Sequence, residues 1–394
     1  MPAGELAALV GAVTGIQALA TFAVLALATL GPAAAPAFGV APHLIGFQVS
    51  LIYLAAALGS LAAGTLTQRH GAGSMSLAAL GLGAAGLAGL AAGSIVLATL
   101  GSLLIGAGYA LTNPAASKLL HRHAPARHRN LIFSIKQTGV PIGGIAAGVV
   151  LPAAAALLGW QAALALGSLL SLAAAFLLAR RRAAWDAGRQ PVSAGPVQMR
   201  QGVVAVWRHP SLRALSLAAF CFAAAQLCLM TFIVTMLVTD LAWTLVSAGA
   251  TLSAVQLAGG LGRLGWGRLA DWTGRGDFVL VGIGGLTGLA ALSMSLLEPG
   301  LAPPAVLVLL IVFAVAAIGW NGVFMAEIAR QSRVDEIGPT TGAVLFFTFA
   351  GVVIGPALFT LLYGVLGSYG QTFAAAAALP IFGSIMLLRT VRRA

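Results

Sequence analysis

Two stretches of this chain, His70–Ser117 and Ile337–Leu388, contain no Lys, Arg, Asp or Glu, and a third, Leu131–Ala179, contains only Lys136. An α-helix rises about 1.5 Å per residue, so about 20 apolar residues cross a hydrocarbon layer of about 30 Å, and each stretch holds two such crossings. A soluble fold is excluded on the same ground: soluble domains carry about 25% charged residues, whereas here 8% are charged and 60% hydrophobic. The 50 glycines suit a membrane bundle, because small residues let helix backbones approach where no hydrophobic force between helices is available.

Reading the apolar runs along the chain predicts twelve spans: 8–31, 44–66, 74–92, 95–117, 131–154, 161–179, 214–239, 244–266, 278–297, 304–327, 341–364 and 370–388. The first lacks a basic lead and is too long for a cleavable signal, so it reads as a span. The basic residues then sort by side. Polar breaks near Arg69, Lys118–Arg129, Arg180–Arg213, Arg268–Arg275, Arg330–Arg333 and Arg389–Arg393 hold 19 of the 21 Lys and Arg residues, and the alternate breaks hold none. By the positive-inside rule the first set faces the cytoplasm, which puts both termini there and the protein in the inner (plasma) membrane. The net charge of +12 is therefore a topology signal, and no nucleic-acid partner is expected. The partners expected are the lipid bilayer and a small solute, for a monomer.

One long polar insertion, 180–213, reads as a flexible linker, with a short interfacial helix at Val203–Trp207. It divides the chain into an N-terminal six-helix bundle (1–179) and a C-terminal one (214–394). An internal repeat supports the division. Gly64 to Gly71 between spans two and three shares its Gly, six residues, Gly frame with Gly267 to Gly274 between spans eight and nine. Gly139-Val140-Pro141-Ile142-Gly143 in span five matches Gly351-Val352-Val353-Ile354-Gly355 in span eleven. The fold class expected is an all-α membrane protein of twelve transmembrane helices in two pseudo-symmetric six-helix bundles.

At these residues the chain resembles the major facilitator superfamily. Gly267, Arg268, Asp271, Gly274 and Arg275 match that family's loop signature in its second-half copy, while the first copy has Gln68 at the acidic position. Gly139, Pro141 and Gly143 are similar to its glycine- and proline-rich packing motif in helix five. A narrower likeness is to organic-anion branches such as oxalate:formate antiporters and monocarboxylate transporters, in which an Arg of helix eight stands eight residues before the acidic or amide loop position. Arg263 stands eight residues before Asp271, and the resemblance implies that it contacts a substrate carboxylate.

Lys136 and Arg263 are the two cations inside predicted spans. An ionisable residue there costs about 2.5–3.5 kcal/mol on insertion scales and usually faces the bundle interior or a wet cavity. The two can offer positive charge to one anion, Arg through a planar fork and Lys as a point charge. The alternative is that each snorkels to the headgroups. Tyr53, Tyr109, Asn113, Gln137, Gln226, Gln256, Trp320 and Asn321 are the neutral polar residues expected to complete the site or to bond between helices. Glu327 reads either as a proton-coupling carboxylate or as a salt bridge to Arg268 or Arg275, and Asp271 as a structural partner of the basic residues.

No enzyme constellation is present, and no phosphate-cradling Gly-x4-Gly-Lys-Ser/Thr that would indicate ATP-driven pumping. Cys221 and Cys228 stand seven residues apart on one helix, about 10 Å along its axis, too far for a disulfide. No metal site and no cofactor are expected. The function expected is alternating-access secondary transport of a small organic anion, driven by a proton or exchanged-anion gradient. Drug efflux and a non-transporting sensor are the alternatives. The first is disfavoured by the positive cavity, and the second by the lack of a large soluble appendage.

Overall fold

The computed structural model describes residues 3–125, 129–187, 206–331 and 337–391. Among them are twelve helices long and apolar enough to cross a membrane: α1 (Gly4–Phe38), α2 (Pro42–His70), α3 (Ala72–Ala91), α4 (Ile95–His123), α5 (Ile132–Leu158), α6 (Trp160–Ala179), α7 (Pro210–Thr239), α8 (Leu245–Thr273), α9 (Gly276–Leu296), α10 (Pro303–Ile328), α11 (Val344–Leu366) and α12 (Tyr369–Thr390). Tight single-residue turns join some neighbours. Gly71, at φ +97°, ends α2 and begins α3, a backbone conformation that a side chain disfavours.

Several helices run past the apolar runs. α2 continues through Arg69 and His70, α4 through His123, and α8 through Thr273. Backbone hydrogen bonding does not stop where the hydrocarbon stops, so a charge marks the edge of the lipid rather than the end of the helix. Gly267, Arg268 and Asp271 accordingly lie on the last turns of α8, and not in a loop as the signature suggested.

Three helices are interrupted by single residues. α5 breaks at Thr138 and α12 at Ala377. In each case a proline follows three residues later, Pro141 or Pro380, and lacks the N–H that would bond the carbonyl four residues back. α10 breaks at Trp320, between Gly319 and Asn321.

The chain forms two compact units: Met1–Ala194 with Leu245–Ser253, and Gly195–Thr244 with Ala254–Ala394. In the first, α3 packs on α4 and α6, α2 on α4, and α1 on α5. The first turns of α8 also belong to it: Ser253 Oγ donates to Ile145 O at 2.9 Å. In the second, α7 packs on α11 and α12, and α9 on α12 and α10. The pairings α1–α5 and α3–α6 thus recur as α7–α11 and α9–α12, so the sequence repeat is a structural one. The matched glycines explain why. A Cβ on Gly139 or Gly143 would come within 2.8 or 2.9 Å of Gln17 Cβ or Thr21 Cβ on α1, and one on Gly355 within 2.7 Å of Ala224 Cα on α7. At both seams, small residues let backbones touch.

The linker begins with a short helix. Arg182–Asp186 is helical, and the Asp186 carboxylate accepts from Ser74 N (2.9 Å) and Ser74 Oγ (2.5 Å), with Arg182 Nε 3.6 Å away. This capping of α3 supplies an acid close to the turn where Gln68 replaces one. Of the expected Val203–Trp207 helix, 203–205 lie outside the described residues. Val206 and Trp207 are helical; Val206 is buried in the hydrophobic core of the second unit, while Trp207 stacks on Phe347 at 5.5 Å and keeps 45% of its surface exposed. Elsewhere large apolar side chains such as Leu157, Phe176 and Val365 are broadly exposed, the surface expected where lipid is the solvent.

Candidate functional site

In the first unit the structure gathers two sequence-predicted residues, Asn113 and Gln137, around a third, Lys136. Lys136 stands on the short helical segment just before the α5 break, with only 3% of its surface exposed. Its Nζ donates to Gln17 Oε1 on α1 at 2.8 Å, to Gln137 Oε1 at 3.0 Å and to Asn113 Oδ1 on α4. The lysine therefore reaches into the bundle and does not snorkel. The Gly139 contact makes this reach possible by bringing α1 against α5 at Gln17.

The electrostatics of this cluster are one-sided. The sequence places only two acids in 1–194, Glu5 and Asp186. Glu5 is exposed near the start of α1, and Asp186 is held by Ser74 and Arg182. Three charge-assisted hydrogen bonds, each contributing about 1.5–3 kcal/mol, offset the desolvation of the ammonium but leave its charge unneutralised. Two further polar groups on the same face of α1 are buried without a hydrogen-bond partner, Gln17 Nε2 and Thr21 Oγ1. Asn113 and Gln137, by contrast, are exposed. Tyr53 and Tyr109 meet edge to face at 5.9 Å.

In the second unit Gln226 on α7 organises another cluster. Its Oε1 accepts from Trp320 Nε1 at 2.9 Å and from Asn321 Nδ2 at 3.3 Å, at the break in α10. Arg263 Nε donates to Ile318 O at 3.2 Å, a carbonyl beside that break, which Asn321 Nδ2 also reaches at 3.4 Å. Arg263 is half-buried and turned toward α10. Gln256 is buried, and its Nε2 has no partner.

Glu327 is buried as an ion pair, but with a partner other than those expected. Arg330, one turn along the same helix, donates through Nε at 3.0 and 3.1 Å and through Nη2, and Gln331 Nε2 adds a bond of 2.8 Å. The i, i+3 spacing brings the arginine into reach without tertiary help. Arg275 instead lies over the Phe278 ring at 3.8 Å, and Arg268 and Asp271 are exposed. Hydrogen bonding to Glu327 pushes the Arg330 guanidinium above its usual range, so it stays charged.

Gln17 was missed in the sequence although it meets the criterion that selected Gln137, a polar amide inside an apolar span. Arg330 and Asp186 were missed because each looked like ordinary loop charge. A mostly apolar cavity of about 310 Å³ lies in the first unit among α1, α2 and α4, bordered by Leu27, Phe38, Phe47, Gln48 and Ile95, and it includes none of the predicted residues. Among the described residues no group of three or more His, Cys, Asp or Glu is placed to hold a metal ion.

The family model of the Major Facilitator Superfamily matches residues 13–356. The chain belongs to that superfamily. This superfamily member also resembles solved transporters over nearly its full length. A peptide transporter POT in complex with sulfate aligns with a TM-score of 0.78 at 15% identity, covering 98% of this chain and 94% of that one. A POT family transporter in complex with 5-aminolevulinic acid aligns at 0.80 and 13% identity, covering 99% and 96%. A bacterial homologue of the human lysosomal transporter Spinster, in an inward-facing and unoccupied conformation, aligns at 0.78 and 14% identity, covering 100% and 98%. These likenesses show the shared fold. A search of curated protein sequences finds no match to this chain.

Proposed function

We propose that this superfamily transporter moves a small organic carboxylate by alternating access, with Lys136 as its principal anion-binding group and Arg263 as the second. The observation that carries the reading is the buried Lys136 ammonium, ringed by three neutral amide oxygens in a unit whose two acids stand elsewhere, Glu5 exposed near the start of α1 and Asp186 on Ser74 and Arg182. A buried charge of this kind is costly unless it is paired, and an incoming anion supplies the missing countercharge. Asn113 and Gln137 support the reading as well, since amides exposed on membrane helices are costly against lipid and suited to a wet passage. Tyr53, Tyr109, Gln226 and Asn321 extend the polar lining within their own units, whereas Gln256 and Trp320, each 1% exposed, are packed inside the second unit.

Glu327 has a structural role in this account, held by Arg330, and the driving force is a proton gradient or anion exchange. The strongly one-sided distribution of basic residues supports an inner-membrane orientation with both termini cytoplasmic. The test is uptake of radiolabelled oxalate, formate and lactate into proteoliposomes. The wild type is expected to accumulate at least one of them, and Lys136→Gln and Arg263→Ala each to lose that uptake at least 100-fold while remaining folded. Undiminished uptake by Lys136→Gln overturns the assignment.

A further inference from the structure

We infer that Gln17 is a positioning residue that fixes the Lys136 ammonium from behind, while Asn113 and Gln137 are exchangeable partners whose places the two oxygens of a carboxylate take. The inference rests on the proposed function above and concerns how its site is built. An ammonium has three N–H donors, and all three are used here, one for each amide oxygen. The three acceptors differ in accessibility. Gln17 is 1% exposed, sealed between α1 and α5 where Gly139 presses on its side chain, so no solute can replace its bond. Asn113 and Gln137 are exposed and can turn away, freeing two donors that diverge from one nitrogen.

The amide orientation of Gln17 follows from the lysine. Its oxygen must face the ammonium, which leaves Nε2 buried without an acceptor. A buried donor without an acceptor is unfavourable, and a residue that only filled space would avoid it by being apolar. As a neutral anchor, however, Gln17 does what a glutamate cannot. It orients the ammonium and leaves the full positive charge for the substrate. A carboxylate at this position would pair with Lys136 permanently.

The experiment follows thermal unfolding of the purified full-length protein with increasing oxalate, formate or lactate, for wild type, Lys136→Gln, Gln17→Glu and Gln17→Leu. In Gln17→Glu the anion-free midpoint is expected to match or exceed that of the wild type, while the carboxylate concentration giving half the maximal shift rises at least tenfold. A merely structural role would not pair a preserved midpoint with lost binding. Gln17→Leu, which removes the anchor without adding charge, is expected to raise that concentration at least threefold, and it decides the matter if the glutamate variant does not fold. Wild-type affinity in either folded variant, with binding lost in Lys136→Gln, overturns the role of Gln17 alone. Unchanged binding in Lys136→Gln, or a wild type that none of the acids stabilises, overturns the underlying reading of the site.

Discussion

Lys136 and Glu327 are equally deeply buried, each with 3% of its surface exposed, yet the two units treat them differently. Glu327 has an arginine one turn away on its own helix and an amide beside it. Asp186, the other acid buried to a similar degree, is likewise accompanied by Arg182. Among the described residues, Lys136 is held by neutral oxygens alone. A buried charge with a covalently supplied partner is complete in the empty protein, and its role can be structural. A buried charge held only by dipoles is oriented but not neutralised, and that is the condition a binding site needs.

The contrast makes different predictions for stability. Replacing Lys136 with Met removes a buried charge whose desolvation is costly, which offsets the about 1–3 kcal/mol lost when Gln17 Oε1 is left without a donor, so the variant should unfold within about 1 kcal/mol of the wild type. A large loss of stability would mean that the amide ring is a structural network and would erase the distinction. Arg330→Ala should instead lose about 1–3 kcal/mol as the buried Glu327 loses its charged donor. The loss should be toward the lower end, because the Arg330 side chain is 61% exposed and partly screened by solvent. Carboxylate affinity should stay within about threefold of wild type, a factor worth under 1 kcal/mol. A tenfold loss of affinity in this variant would bring Glu327 into the transport chemistry after all.

Much of the fold was legible because lipid enforces simple rules. Uncharged runs such as His70–Ser117 had to be paired helices, and the matching glycines of spans five and eleven proved to mark equivalent seams on α1 and α7. What escaped was set by tertiary or very local geometry. The signature residues Arg268 and Asp271 lie on a helix because backbone hydrogen bonds outlast the hydrocarbon layer. Arg330 bridges Glu327 because helical spacing is shorter than the route to Arg268 or Arg275. At the candidate site, sequence named Lys136, Asn113 and Gln137 but could not show that they converge, since they come from α4 and α5 with Gln17 contributed by α1. The same limit applies to Gln226, Trp320 and Asn321, whose meeting depends on the break in α10. Asp186 illustrates it most plainly, a linker acid placed by folding beside the turn where the local sequence has only Gln68.

The most direct test of the central claim is to locate a carboxylate in the protein itself. Crystals grown with 4-bromobenzoate, whose unreactive aryl bromine marks its position by anomalous scattering, should show the carboxylate bonded to Lys136 Nζ, with Asn113 and Gln137 turned aside and Gln17 still in place. A bromobenzoate bound elsewhere, with the three amide oxygens still closed around Lys136, would contradict the account.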